Sequence, residues 1–111
     1  LCSLSIEMSV NIVSYYKWLT REHNEYVMSK QILRSGTSIG ANIHEACYAI
    51  SKADFISKMQ IALKEASETE YWLIVLQRTG YFDECFHPVK ALCLSLKKML
   101  TATLNTAKRN N

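Results

Sequence analysis

Acidic and histidine side chains in the middle of the chain raise the question of a metal site. Glu65, Glu68 and Glu70 cluster on one predicted helix, and His44 adjoins Glu45 on another. A di-metal centre in a helical bundle needs inward glutamates from several helices together with Glu-x-x-His pairs. Here Glu65 is followed three residues later by Glu68, and the side chains of His44 and Glu45 point about 100° apart on a helix. The sequence therefore predicts no metal site and no cofactor, and it assigns these carboxylates to solvent or to an interface.

The sequence also lacks a residue pattern typical of nucleophilic catalysis. The histidines and cysteines show no nucleophile pattern; they are His23, His44, His87, Cys2, Cys47, Cys85 and Cys93. The cysteines have neither Cys-x-x-Cys spacing nor the framework of a secreted scaffold, so we expect reduced thiols in a cytoplasmic protein. Gly36 and Gly40 do not form a phosphate-binding loop, because no lysine follows Gly40 and no strand precedes it. We predict no catalytic residue and a protein that is not an enzyme, with a bundle enzyme as the remote alternative.

A strip of acidic and aromatic residues on the predicted third helix favours a subunit contact. It consists of Glu68, Glu70, Tyr71 and Trp72, and it lies beside a hydrophobic seam. Such a strip more often forms a contact between subunits, or a satisfied buried network, than an active site. With two Trp, six Tyr and three Phe in 111 residues, the chain also carries more apolar side chain than a lone small bundle readily hides. We therefore predict a homo-oligomer with these four residues at the contact.

Basic residues collect in the last quarter of the chain. The formal net charge is only +3, yet five Lys or Arg and no Asp or Glu follow Glu84. The five are Lys90, Lys97, Lys98, Lys108 and Arg109. On a helix the first, second and fourth of these fall within about 20° of one another, with the other two beside them. We predict that this basic ridge contacts RNA or DNA phosphates, with a solvated helix face as the alternative.

Helices are the elements that position all of these residues. The chain is 49% hydrophobic with one proline and three glycines, too apolar for disorder and too poor in turn formers for a many-stranded sheet. Its length fits one domain, residues 1–111. No apolar run reaches the ~18 residues that span a bilayer, and no basic segment precedes an apolar one at the N-terminus. We therefore expect a cytoplasmic, all-α, single-domain protein.

Hydrophobic periodicity predicts four helices with short connections. Their ranges are roughly Ser3 to Leu19, Tyr26 to Ala49, Ser51 to Thr79, and from Pro88 onward. The first carries a wide apolar stripe, with Ile6, Val10 and Val13 at its margin, of the kind that a bundle helix buries. Ser51 and Asp54 form a capping box at the start of the third. The fold predicted is an antiparallel up-down-up-down four-helix bundle.

Small residues mark the contact expected between the second and third helices. The seam of the second helix follows alternating steps of four and three; its members are Ile32, Gly36, Ile39, Ile43, Ala46 and Ile50. Gly36 and Gly40 let another backbone come close, because no side chain stands in the way. Ala62 and Ala66 lie at the centre of the seam of the third helix. We predict that the two glycines meet these two alanines in a tight antiparallel hairpin.

Two stretches carry a resemblance to a known family. They are SGTSIGANIHEA, from Ser35 to Ala46, and SKADFISKMQIALKEASETEYWL, from Ser51 to Leu73. The chain resembles the bacterial four-helix-bundle proteins whose members include those encoded in intervening sequences of 23S ribosomal RNA genes. The TSIGAN motif of that family matches Thr37 to Asn42, and its ALKEA and ETEYWL elements lie within the second stretch.

This resemblance implies a four-helix bundle, frequently assembled as a ring-shaped homopentamer, with no known enzyme activity. A related member, the accessory variability determinant of diversity-generating retroelements, is a basic pentamer that binds nucleic acid and a reverse transcriptase. We therefore expect a non-enzymatic, oligomeric binding module. The partners it implies are RNA or DNA, a protein such as a reverse transcriptase, or both. A purely structural homo-oligomer is the alternative.

Overall fold

Four α-helices make up the protein. The computed structural model describes residues 1–109, and it contains no strand within that range. The helices are α1 (Cys2–His23), α2 (Met28–Cys47), α3 (Lys52–Arg78) and α4 (Phe86–Arg109). The predicted all-α class is therefore confirmed. No helix in the described range combines the length and apolarity needed to cross a membrane.

The helices form an elongated bundle in which chain neighbours are also spatial neighbours. α2 packs extensively against α1 and α3, α3 packs against α4, and α1 shares only a small contact with α4. The backbones of the diagonal pairs, α1 with α3 and α2 with α4, do not approach each other closely within residues 1–109. The bundle measures 48 × 21 × 20 Å. One consequence is that α1 depends mainly on α2 for its place in the fold.

The core is built from the predicted seams. On α2, Ile32, Gly36, Ile39, Ile43 and Ala46 are buried, as predicted from their spacing. Ile50 is 94% exposed, because α2 ends at Cys47. The other helices contribute apolar residues at the same helical spacing, among them Met8, Ile12, Tyr15, Leu19, Met59, Ala62, Ala66, Leu73, Leu76, Val89, Cys93, Leu96, Leu100 and Leu104.

Capping explains where α3 begins and ends. The Ser51 hydroxyl accepts a hydrogen bond from the Asp54 N–H at 3.0 Å, which confirms the predicted N-cap. At the other end Gly80 has φ +91°, a conformation that glycine adopts without steric cost. The Tyr81 N–H then reaches back to the Leu76 carbonyl at 2.9 Å and closes the last turn.

The connection between α1 and α2 differs from the prediction. α1 continues to His23 and ends at Asn24, whose φ of 51° places it in the left-handed region. Glu25 then caps α2 with its side chain: Oε1 accepts from the N–H groups of Val27 at 2.9 Å and Met28 at 2.7 Å, and Oε2 from Ser29 at 3.0 Å. Three amides that α2 leaves without helical partners are thus satisfied by one carboxylate. This cap sets the start of α2 at Met28, two residues later than predicted.

The predicted partner of the two glycines was wrong. A Cβ atom added at Gly36 would meet the side chain of Ile12, and one added at Gly40 would meet the Ser5 carbonyl and the Ser9 hydroxyl. All three neighbours belong to α1. Gly36 and Gly40 therefore admit α1 and not the alanines of α3, although Ala62 and Ala66 are fully buried. The reason is that α2 packs extensively against both α1 and α3, and its two glycines face α1.

The prediction of four reduced thiols was also wrong. Cys2 and Cys47 are joined by a disulfide, with their Cα atoms 6.2 Å apart. Antiparallel packing places the first residue of α1 beside the last residue of α2, a proximity that linear spacing does not reveal. Cys85 and Cys93 are free.

Candidate interaction surfaces

The structure divides the five predicted basic residues into two groups. The Lys97 ammonium pairs with Glu70 of α3 at 3.3 Å, and Lys90 donates to the Gln77 side chain at 3.4 Å. Both are partly buried in the crevice between α3 and α4. Lys98, Lys108 and Arg109 are exposed, and no carboxylate in residues 1–109 pairs with them. The part of the basic ridge that is free to bind a ligand therefore consists of Lys98, Lys108 and Arg109.

The predicted acidic and aromatic strip is likewise divided. Glu70 is held by Lys97, and Glu68 pairs with Arg34 of α2 and accepts a hydrogen bond from the Trp72 indole N–H at 3.3 Å. Trp72 itself packs against the core. Tyr71 remains 59% exposed, with its ring 5.1 Å from that of Trp72. Of the four residues, Tyr71 offers the most free surface.

Arg34 joins α2 to α3 through two carboxylates. Its two terminal nitrogens reach different partners, Glu65 at 3.4 Å and Glu68. Glu65 is only 8% exposed, so the charge it carries is compensated by this pair. The glutamates that sequence reasoning considered for metal binding thus serve helix packing. Among residues 1–109, no three His, Cys, Asp or Glu side chains lie close enough together to hold a metal ion.

A groove runs between α1 and α2. It has a volume of about 700 Å³ and is lined by Ile6, Val10 and Val13 on one side and by Gly40 and Ala41 on the other. Ile6 is 65% exposed and Val10 59% exposed. The prediction that the whole apolar stripe of α1 would be buried was wrong for these two residues.

The sequence did contain a signal for this groove. At 100° per residue, Ile6, Val10 and Val13 lie about 160° around the axis from the buried stripe of Met8, Ile12 and Tyr15. α1 therefore carries two apolar stripes on nearly opposite sides, and only one of them faces the core. The sequence prediction treated the two stripes of α1 as one wide buried stripe, and it therefore missed the exposed one.

Aromatic rings and histidines gather at the end of the bundle where α1 finishes. The Tyr15 hydroxyl donates to the Tyr81 carbonyl at 2.6 Å, and the His23 ring lies 4.3 Å from that of Trp18. Burial raises the pKa of Tyr15 well above its ordinary value of 10.0, and the negative charges of Asp83 and Glu25 add to the shift. The cluster fixes the loop that precedes α4. It contains no partnered nucleophile and general base.

Burial also keeps both free cysteines protonated. The pKa of Cys93 rises to about 12, first because the thiol is removed from water and then because of Glu70, while Lys97 opposes the shift. Burial, Asp83 and Glu84 raise the pKa of Cys85. A thiol is nucleophilic as its thiolate, so neither group is activated.

Comparison with known proteins agrees with this geometry. A protein-family model described as "23S rRNA-intervening sequence protein" matches residues 1–102. Among solved structures, the chain is similar to a protein of unknown function from the S23 ribosomal protein family of Bacteroides thetaiotaomicron VPI-5482, with a TM-score of 0.87. The two are 52% identical over 93% of this chain and 96% of that one. No curated protein matches the chain. On the extent of the family match, the chain belongs to the family of 23S rRNA-intervening sequence proteins.

Proposed function

We propose that this protein is a non-enzymatic, homo-oligomeric module that uses its helical surfaces to assemble and binds nucleic acid through exposed basic residues of α4. The observation that carries the proposal is the second apolar stripe of α1. Ile6 and Val10 are each more than half exposed beside a groove of about 700 Å³, and no other helix within residues 1–109 covers them.

The stripe has the form of a helix contact that lacks its partner. Ile6, Val10 and Val13 follow steps of four and three, the spacing at which a helix presents one face to another. Ala41, across the groove, is small and exposed, which leaves room for a further helix to approach. An exposed apolar surface of this kind on a small protein typically marks an interaction site.

A different surface of the chain supplies a second apolar patch. Tyr71 and Ile74 of α3, which lie three residues apart on one side of the helix, are 59% and 44% exposed. α3 is diagonal to α1 in the bundle, so the two patches are separate. When two distinct patches of one chain meet across copies, the contact is heterologous, and repeating it closes a ring if the rotation permits. This arrangement supports a cyclic assembly, and a pentamer is the number that we propose.

Assembly would strengthen the weak basic surface of one chain. In a pentamer, Lys98, Lys108 and Arg109 would contribute roughly 15 positive charges, arranged around one axis. Such a field binds RNA or DNA phosphates largely without regard to sequence, and it weakens steeply as salt rises because counterions are released. A protein partner such as a reverse transcriptase would use the surfaces that assembly leaves open.

The pairing of Lys97 with Glu70 favours the second candidate, a purely structural homo-oligomer. Two of the five basic residues stabilise the α3–α4 packing and are not free to contact phosphates. A bundle enzyme stays the remote alternative. The two leading candidates differ in one measurable property, which is affinity for nucleic acid.

Binding to a labelled single-stranded RNA tests this property directly. We expect retention on filters at about 50 mM salt and an affinity lower by on the order of a hundredfold at about 200 mM. The double variant Lys98→Glu, Lys108→Glu should abolish retention. Its control, Lys30→Glu, Lys64→Glu, makes the same charge change on exposed positions of α2 and α3 and should bind RNA far better. No retention of the wild type at low salt, or equal loss in both variants, would favour the structural candidate.

A further inference from the structure

We propose that Cys2 and Cys47 form a reversible disulfide that clamps the N-terminal half of α1 onto α2 and that opens by exchange with small thiols of the glutathione class. The proposal concerns the two bonded sulfurs and the helices that they join. It does not depend on assembly or on nucleic-acid binding.

The disulfide joins the N-terminal end of α1 to the C-terminal end of α2. Cys2 is the first residue of α1, Cys47 is the last residue of α2, and 45 positions separate them in sequence. Their Cα separation of 6.2 Å lies within the range that a disulfide spans without backbone movement. The disulfide therefore cross-links the start of α1 to the end of α2, two helix ends that already lie side by side in the bundle.

Within residues 1–109, the other polar connection described between α1 and the rest of the bundle lies well away from Cys2. The ion pairs between helices join Arg34 to Glu65 and Glu68, Lys58 to Glu45, and Lys97 to Glu70, and each of these links α2, α3 or α4. α1 is anchored by the hydrogen bond from the Tyr15 hydroxyl to the Tyr81 carbonyl, in the C-terminal half of the helix. The contact of α1 with α4 is small. The disulfide is thus the strong link at the N-terminal end of α1.

The disulfide is exposed to solvent, so an external thiol can reach its sulfur atoms. Cys2 is exposed and Cys47 is half-buried, so a small thiol reaches the bond from solvent. Cys93 is fully buried, and Cys85 precedes α4 at the opposite end of the bundle. Neither free thiol is placed to attack the bond, so an external thiol is needed to open it.

The exchange balances with two equivalents of small thiol. The thiolate of the first attacks the exposed Cys2 sulfur, a mixed disulfide forms there, and Cys47 leaves and takes up a proton. The second attacks the sulfur of the small molecule in that mixed disulfide, which frees Cys2 as a thiol and releases the oxidised small-molecule disulfide. The protein disulfide gains two electrons and two protons. Oxidised glutathione drives the reverse reaction.

Opening the bond changes the groove between α1 and α2. Ile6 and Val10 lie one and two turns after Cys2, and His44 and Glu45 lie in the last turn of α2 before Cys47. Reduction leaves the first turns of α1 held to the bundle by side-chain packing and no longer by a covalent bond. We therefore expect faster opening of residues 2–10 in the reduced protein, with α3 unaffected.

Thiol counting and melting test the proposal on the purified chain. In buffer rich in oxidised glutathione, alkylation under denaturing conditions should modify two thiols per chain, and after incubation with excess reduced glutathione it should modify four. Two thiols after reduced glutathione but four after dithiothreitol would overturn the proposal. The oxidised protein should melt about 10 °C above the reduced protein, because the cross-link limits the unfolded chain. Hydrogen exchange should report faster exchange at residues 2–10 on reduction.

Single cysteine variants locate the effect. Cys47→Ser and Cys2→Ser should each melt at the same temperature with or without dithiothreitol, while Cys85→Ser should keep the difference. Cys2→Ser changes an exposed side chain, so it serves if Cys47→Ser folds poorly. Four reactive thiols in the oxidising buffer would overturn the proposal. A redox-dependent melting shift that persists in Cys2→Ser would overturn it as well.

Discussion

The carbonyl oxygen of Ser5 lies so near Gly40 that it would collide with the Cβ atom of any side chain placed there. The Ser9 hydroxyl would stand only 2.6 Å from the same Cβ. A backbone carbonyl in a helix cannot rotate away, so α1 and α2 approach here at a distance that excludes any Cβ. Gly36 differs in degree, because the atoms that a Cβ there would meet belong to the Ile12 side chain, which can shift without displacing a helix backbone, although its branched Cβ leaves it few rotamers.

Replacing Gly40 should therefore destabilise the fold more than replacing Gly36. We expect Gly40→Leu to lower the free energy of unfolding by more than about 2 kcal/mol through overpacking. Gly40→Ala should cost more than Gly36→Ala, although alanine favours a helix over glycine by about 1 kcal/mol at both positions. Urea unfolding measures these differences. Gln31→Leu adds the same side chain at an exposed position of α2 and is the control. An unchanged melting temperature for Gly40→Leu would refute this account of the contact.

The hydroxyls of Ser35 and Thr69 form a buried polar link between α2 and α3. Their oxygens are 2.9 Å apart and both residues are fully buried. Thr69→Val should cost about 1–2 kcal/mol, since it leaves the buried Ser35 hydroxyl without its partner. Ser35→Ala should cost less, because the Thr69 hydroxyl keeps its hydrogen bond to the Glu65 carbonyl at 2.9 Å. The double variant should cost less than the sum of the two, because it removes both partners together.

A threonine on the surface provides the control for that cycle. Thr101 is exposed, and its hydroxyl bonds the Lys97 carbonyl within α4 at 2.8 Å. Thr101→Val should change the free energy of unfolding by less than about 0.5 kcal/mol. Strict additivity of the Ser35 and Thr69 substitutions would show that the two hydroxyls do not interact.

Stability should fall in alkaline solution because two buried acids keep their protons in the folded state. The ordinary pKa values are 9.0 for Cys93 and 10.0 for Tyr15, and folding raises both, Cys93 to about 12. The unfolded chain loses these protons first, so their contribution is complete below about pH 9 and is lost as the pH rises toward 12. Above its unfolded pKa, each group lowers the free energy of unfolding by about 1.4 kcal/mol for every pH unit.

Urea unfolding at several pH values between about 8 and 10.5 checks this slope. Cys93→Ser should make it shallower from about pH 9, and Tyr15→Phe from about pH 10. Tyr71→Phe removes the hydroxyl of an exposed tyrosine and is the control for Tyr15. A slope that is the same in all four proteins would contradict the assignment of the pH dependence to these two buried groups.

Much of the fold could be predicted because periodicity and capping act locally. The seams of α2 and α3 and the Ser51 cap depend on residues within a few turns of one another. The cap formed by Glu25 was missed because glutamate is not among the usual capping residues. The partners of Gly36 and Gly40 could not be predicted from α2 alone, since its small residues fit either neighbouring helix.

The surfaces were harder to predict because they depend on which charges meet across helices. Lys97 and Lys98 are adjacent in sequence, yet only Lys97 faces Glu70. The disulfide between Cys2 and Cys47 arises from antiparallel packing of two helix ends. The groove could have been found from the sequence, because the angular separation of Ile6 and Val10 from Met8 and Ile12 requires only the helical repeat.

Sedimentation velocity at micromolar concentration tests the central claim, that the second apolar stripe of α1 drives assembly. We predict that the wild type sediments as a particle of roughly five times the 12.7 kDa chain mass. Val10→Glu should sediment at 12.7 kDa with unchanged helical circular dichroism, because the exposed position tolerates the charge in a monomer but not in a buried contact. Ala91→Glu, at an exposed position of α4, should assemble normally. A wild type that remains at 12.7 kDa, or a Val10→Glu variant that assembles like the wild type, would contradict the claim.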